Sequence, residues 1–512
     1  MKFTPMTAER AAMRVVQAGA IAVVLAALPY KTFDLDRYFV PKELVLGLTA
    51  TAAALLLLAH RDAHKPAVSR VDVLLFVFLG LSAVSSWFAL NGWLAWRALA
   101  ISLAGILIFW TTRGLSRAGL GHQVLGAIAL AVVVAAGTSL FQAYGGHGDL
   151  LSLNRAPGGT LGNRNFVAHL AAIGLPVLVL IILDTRRFIA FLAGTVGLGI
   201  VVWALILSRS RAAWLAAGLC FVLALIAAWR SGYRPPIGRA VILVGAAAAG
   251  VLAALVLPNT LHWKSRNPYL ESAVGVADYR DGSGHGRIIQ YSTTTKIALA
   301  HPILGVGPGN WPVVYPKYAA PNDPSLDSDD GMTANPWPSS DWAAFLSERG
   351  LVATLFLALG LITLAATGAP LTLIATVLAV FTVGAFDAVL LLPAPTLLVW
   401  ATLGALTPQA NPGLRIPIPR ILAAVVIFVL GAASILRSTQ EAVAMAIAND
   451  ETSAGPLEIA ARVDPGSYRI QVRVAEAEER RGHCGAVITH ATAARKLFPS
   501  APAPRHLLAR CR

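Results

Sequence analysis

The sequence predicts an all-α fold, a polytopic transmembrane helical bundle of about 12–13 spans with one large outer-face loop and a small helical carboxy-terminal tail. Three observations carry this. Hydrophobic residues make up 56% of the 512 and charged residues only 13%, against an apolar share of roughly 45–50% in soluble domains. The apolar residues gather into runs of spanning length, and a run inside hydrocarbon must satisfy its own backbone, as a helix does. The Lys and Arg behind the formal net charge of +15 sit mostly in short connections between those runs. That is the orientation signal of a membrane protein, and it argues for membrane lipids and against nucleic acid as the partner.

Lys2, Arg10 and Arg14 precede the first apolar run, which ends near Tyr30, so the amino terminus is expected inside. Lys31 to Glu43 follows in place of a small-residue cleavage site, so no cleavable signal is expected. Leu44 to Leu58 returns inward to Arg61, Lys65 and Arg70; Val71 to Leu90 and Leu94 to Trp110 form a tight pair ending at Arg113 and Arg117. Val124 to Tyr144 leads out to a Gly- and Asn-rich loop, and Phe166 to Leu183 returns to Arg186 and Arg187. Phe188 to Leu207 climbs to Ser208-Arg209-Ser210-Arg211, and Trp214 to Trp229 descends to Arg230, Arg234 and Arg239. Arg209 and Arg211 therefore sit on the face that the orientation rule disfavours. Ala240 to Leu257 delivers the chain outside again; Ala343 to Ala366, Leu371 to Leu392, Thr396 to Leu406 and Ile421 to Leu436 complete the spans around Arg415 and Arg420. Residues 1–257 are thus amino-terminal spans, 258–341 a large outer loop, 342–436 carboxy-terminal spans and 437–512 an outer tail.

The long loop carries Lys264, Arg266, Arg280, Arg287 and Lys296, then Asp323, Asp327, Asp329 and Asp330. A structureless loop of this length is uncommon in a compact domain, so short helices and a function are expected of it. The acidic run lacks the Gly and terminal Glu of a calcium loop, which favours a solvated turn, and neither a metal nor a cofactor is expected. In the tail, Ala460, Asp464-Pro465, Tyr468, Ala475, Gly482, Ala486, Ala491, Ala494, Leu497 and Pro499 have the spacing of a tetratricopeptide-like helix pair. One repeat is marginal alone, so it needs the loop, the membrane or a protein partner to pack on. Cys484 and Cys511 flank the last helix pair on the oxidising side, where a disulfide contributes about 2–4 kcal/mol.

Ionisable groups near lipid need a reason. Arg209 and Arg211 either snorkel to headgroups, or Arg211 joins Arg287 in gripping a diphosphate through the forked bonds suited to a guanidinium. No Walker loop offers another phosphate site. Asp387 lies in an apolar run, where a carboxylate is costly unless paired, and structural and catalytic roles both stay open for it. His169, beside the Asn-rich loop, reads first as a packing residue.

Several stretches together resemble one family. They are Arg155-Ala156-Pro157-Gly158-Gly159-Thr160-Leu161-Gly162-Asn163-Arg164-Asn165, Ser208-Arg209-Ser210-Arg211-Ala212-Ala213-Trp214, and Gly286-Arg287 leading to His301-Pro302-Ile303-Leu304-Gly305-Val306-Gly307-Pro308-Gly309-Asn310. From about Asn154 to Leu406 the chain is similar to the O-antigen ligases and polymerases, polytopic membrane glycosyltransferases. Pro41-Lys42 and Phe386-Asp387 are weaker echoes.

The resemblance implies metal-independent, inverting transfer of a glycan from a polyprenyl diphosphate carrier to a lipid, glycan or protein hydroxyl, at the outer face of the bacterial inner membrane. It implies Arg209, Arg211 and Arg287 on the diphosphate and Asn163, Asn165 and Ser339 at the substrate. One departure stands out. Where the family carries a His-Asn pair before Glu348-Arg349-Gly350, this chain reads Ser339-Ser340-Asp341-Trp342. A hydroxyl cannot replace histidine as a base near neutral pH, so Asp341 is expected to be the base, with His285 as the other candidate; alternatively Asp341 caps the helix that follows. Two rival functions stay open: transport of lipid-linked glycan, and a non-catalytic relative whose tail recruits other envelope assembly proteins.

Overall fold

The computed structural model describes residues 5–59, 67–231, 236–263, 265, 267–275, 282–326, 332–366, 369–408, 414–415 and 419–511. Lys2, Arg61, Lys65, Arg234, Lys264, Arg266, Arg280, Asp327, Asp329 and Asp330 lie outside the described residues. The bundle is built from α1 (Pro5–Leu25), α2 (Asp36–Leu58), α3 (Arg70–Trp87), α4 (Gly92–Arg117), α5 (Gly121–Ala143), α6 (Arg164–Asp184), α7 (Phe188–Ser208), α8 (Arg211–Ser231) and α9 (Ile237–Val256). The long loop holds α10 (Pro268–Val274), α11 (Gly282–Ala300) and α12 (Trp311–Tyr318); α13 (Asp341–Ala366), α14 (Leu371–Phe386), α15 (Pro393–Leu406) and α16 (Arg420–Ala448) return to the bundle. The tail is α17 (Ala454–Val463), α18 (Tyr468–Arg480), α19 (Cys484–Leu497) and α20 (Pro502–Arg510).

The protein is thus an all-helical, multi-pass membrane protein. Ten of the described helices are long and apolar enough to cross a membrane, and α14 and α15 are shorter apolar helices. Helix α15 is apolar on all sides and buried from Pro393 to Ala405, as the centre of a bundle must be. Helices α8, α9 and the first half of α16 instead expose Phe221, Val244, Ile421 and Phe428, the positions that meet lipid. The basic connections gather at one end, where Ala67–Val68 pairs antiparallel with Leu414–Arg415. The long loop and the tail gather at the other.

Two spans differ from the sequence expectation. Leu371 to Leu392 reads as one run, yet α14 stops at Phe386 because Asp387 takes an extended conformation, φ −162° and ψ −179°. Helix α13 begins at Asp341 and kinks at Gly350, which sits at φ 80° and ψ 170°.

That kink explains the most recognisable motif of the loop. Pro302 O accepts from Leu351 N at 2.8 Å, Val306 N donates to Ser347 O at 2.9 Å and Gly307 N to Glu348 O at 2.8 Å. The buried Glu348 carboxylate accepts from Gly309 N at 2.8 Å and Trp311 N at 3.2 Å. The Gly-Val-Gly-Pro-Gly-Asn stretch is therefore a clamp that seats the loop on α13. A methyl group on Gly350 would lie 2.0 Å from Ile303 O at a φ that disfavours side chains. Gly350→Ala is expected to cost at least about 2 kcal/mol, read as loss of monodisperse protein or a lowered Tm in detergent.

The tail packs on the bundle. Phe33 and Val40 share a core with Met445, Leu457, Ile470 and Val474, and Ala475, Ala491 and Ala494 close the contact of α18 with α19. Cys484 and Cys511 form a disulfide with Cα atoms 5.3 Å apart. An ionic knot ties the parts together: Arg97 meets Glu43 at 2.8 Å and Glu441 at 3.0 Å, and Arg437 meets Asp464 at 3.0 Å.

Candidate active site

A cavity of about 890 Å³ opens beneath the long loop, walled by the starts of α6 and α8, by α11 and by the segment after α14. Buried cations from α2 fix its near wall. Arg37 donates to Asp149 O at 2.7 Å and Leu151 O at 3.0 Å, while Lys42 donates to Thr160 O at 2.7 Å and to Ala26 O. These bonds give a physical role to the early Pro41-Lys42 echo. At the end of the loop Asn163 caps α6, its side chain accepting from Asn165 N at 3.0 Å. The acceptor oxygen of Asn163 is thereby occupied, whereas the amide of Asn165 reaches Asp387 Oδ2 at 3.4 Å.

Arg209, Arg211 and Arg287 all line this cavity. Arg209 closes α7 at φ 55°, a left-handed conformation that costs a residue with a side chain roughly 1–3 kcal/mol. Its guanidinium donates to Ser272 Oγ at 2.8 Å, approaches Glu271 at 3.5 Å and lies 4.9 Å from the centre of the Trp263 ring. Arg211 opens α8 and donates to Gly275 O. Arg287, on α11, makes no hydrogen bond or ion pair with any described residue. Arg155 and Arg164 also line the cavity, Arg164 standing 4.9 Å from the centre of the same Trp263 ring. Neither was picked out from the sequence, although both lie within the Asn-rich motif.

The acceptor side differs from expectation. Ser339 lines the cavity, its N–H donating to Gln290 Oε1 at 2.6 Å and its carbonyl accepting from Tyr291 OH at 2.6 Å. Ser340, rather than Asp341, caps α13, with Oγ accepting from Ala343 N at 3.3 Å. Asp341 is fully buried and is not among the cavity-lining residues. Its carboxylate accepts from Val389 N at 3.0 Å and Leu390 N at 2.8 Å, and its own N–H donates to Asp387 O at 3.2 Å. Asp341 therefore holds the turn after α14 and, contrary to expectation, does not itself border the cavity.

The carboxylate that this turn presents to the cavity is Asp387, the only acid lining it among the described residues. Its Oδ1 accepts from Ala388 N at 2.8 Å, and Oδ2 lies 3.8 Å from His169 Nε2. His285 is exposed and lies outside the lining. Asp323 is engaged in a turn, accepting from Ser325 N at 2.8 Å and Tyr315 OH at 2.9 Å.

Residues 196–358 match the family model described as O-antigen ligase. Over this span the chain is similar to the O-antigen ligases. The matched span runs from α7 through Arg209, Arg211, Arg287 and the Gly-rich clamp into α13, whereas Arg155 and Arg164 of the cavity precede it. Asn163, Asn165, His169 and Asp387 flank it. No curated protein matches the chain. Glycosyl transfer of the O-antigen ligase or polymerase type, within a membrane, is the activity class of that family.

Proposed function

We propose that the protein transfers a glycan from a polyprenyl diphosphate carrier to an acceptor hydroxyl, with inversion at the anomeric carbon. The observation that carries this reading is the convergence of Arg209, Arg211 and Arg287 on one cavity that also holds Asp387. Guanidinium groups stabilise the charge that develops on a departing diphosphate, and a dry cavity strengthens that effect. Arg287, free of partners among the described residues, and Arg211 are the gripping pair; Arg209, braced by Ser272, Glu271 and Trp263, orients the site. Asp387 faces the acceptor hydroxyl as base, Asn165 and Ser339 position substrate, Asn163 shapes the loop, and Asp341 acts by holding Asp387 in place. A single displacement from the face opposite the diphosphate inverts the anomeric centre.

The cavity faces the outer side of a bacterial inner membrane on this reading. Arg70, Arg113, Arg117, Arg186, Arg187, Arg230, Arg239, Arg415 and Arg420 cluster at the opposite end of the bundle, as cytoplasmic loops require. The tail disulfide suits an oxidising compartment, and the exposed tail surface is the place for a protein partner.

Purified protein in liposomes, given undecaprenyl diphosphate-linked glycan and candidate acceptors, is expected to release free undecaprenyl diphosphate together with a glycosylated acceptor. Movement of intact lipid-linked glycan between leaflets without release identifies a transporter instead, and no change in the donor identifies a non-catalytic relative. Impermeant thiol reagents should label cysteines introduced at exposed positions of α11 and α19 from outside; labelling from the cytoplasm alone removes the site from its substrate.

A further inference from the structure

His169 stands out among the cavity residues as a buried histidine beside a carboxylate. It lies on the second turn of α6, is 1% exposed, and neither ring nitrogen makes a hydrogen bond of full geometry, its nearest polar neighbours being Asp387 and the backbone at Ala388. Buried polar groups are nearly always paired, and one left unpaired at a site calls for a reason. The ring is bounded by Phe166 at 6.3 Å, the backbone at Ala388, and two charged groups, Asp387 and Arg287. Its Nε2 stands 3.8 Å from Asp387 Oδ2, about 1 Å beyond a hydrogen bond.

We propose that His169 is the proton store of the transfer reaction, receiving through Asp387 the proton that the acceptor hydroxyl gives up. This rests on the glycan-transfer reading. The acceptor oxygen forms its bond to the anomeric carbon as the bond from that carbon to the diphosphate breaks, and the electron pair stays on the diphosphate. The hydroxyl proton passes to Asp387 Oδ2 and then, as the two side chains close by about 1 Å, to His169 Nε2. Asp387 is left ionised beside a new imidazolium, and the proton leaves to water with the products. Because its nitrogens are buried, His169 acts on substrate only through Asp387, so it is a positioning and relay residue.

The relay also supplies an imidazole to a cavity where Ser339 stands without one.

The test compares the full-length parent with His169→Gln and His169→Ala, using release of undecaprenyl diphosphate from the lipid-linked glycan as the rate and binding of undecaprenyl diphosphate alone as the control. The proposal expects binding within about twofold of the parent and transfer lowered about 100-fold in both variants. It further expects added imidazole to restore His169→Ala at least about tenfold, a recovery that repair of packing does not give to a glutamine variant. Adding Ser339→His to His169→Ala should also recover transfer, since a histidine then reaches the same cavity. Parent-like transfer by His169→Gln overturns the relay and leaves the transfer reading standing. So does loss that neither imidazole nor Ser339→His repairs while donor binding is intact. Absence of transfer by the parent itself overturns the underlying reading, and the relay with it.

Discussion

Arg287→Lys is expected to lower glycan transfer by about 100-fold or more while the protein stays folded and monodisperse, because a single ammonium would replace a fork suited to bonding two phosphate oxygens at once. The size follows from the site. Arg287 makes no hydrogen bond or ion pair with any described residue, so its donors are available to the ligand, and removal of one donor to a developing anion typically costs about 100- to 1000-fold in rate. Arg211→Lys should fall in the same range. Arg209→Lys is expected to do less at the chemical step and more to stability, since Arg209 is held by Ser272 and stacked against Trp263. Steady-state rates and thermal midpoints measured on the three variants separate these roles. Equal losses of activity and stability in all three would mean that the arginines form one structural cluster.

Asp387→Asn and Asp341→Asn should fail in different ways. The Asp387 side chain borders the cavity and accepts only from Asn165 and the Ala388 N–H among the described residues, so its amide variant is expected to stay within a few degrees of the parent's thermal midpoint and to lose transfer by about 100- to 10,000-fold, the usual range for a positioned base. Asp341 accepts two backbone N–H groups in a fully buried setting. An amide there keeps one acceptor oxygen but turns an N–H₂ group toward donors, at a cost of roughly 1.5–3 kcal/mol for a bond to a charged group. Asp341→Asn should therefore lose stability and activity together, through displacement of the turn that carries Asp387. Activity at the parent's level in Asp387→Asn would take this carboxylate out of the mechanism.

The helices were legible because spanning runs are long and nearly uninterrupted. Arg209 and Arg211 were legible as cations where the orientation rule disfavours them, and Arg287 through the motif that resembles the family. What the sequence could not settle was which of two acids, 46 positions apart, borders the cavity. Asp341 precedes an apolar helix and reads as a cap or a base, but the distant backbone of Val389 and Leu390 claims its oxygens. The same long-range bonds end α14 early and turn Asp387 into the cavity, a consequence that no local pattern encodes. The Gly-rich motif was visible in the sequence, but not its role, because its glycines serve the close seating of the loop on α13.

The central claim is that one diphosphate lies between Arg211 and Arg287, beside Asp387. A cryo-electron microscopy structure of the full-length protein in lipid nanodiscs with undecaprenyl diphosphate tests it most directly. The account predicts phosphate density in this cavity, within about 3 Å of both guanidinium groups, with the prenyl chain leaving along the lipid-facing side of α8. Density for the diphosphate elsewhere on the protein, with the cavity empty under saturating ligand, would contradict it.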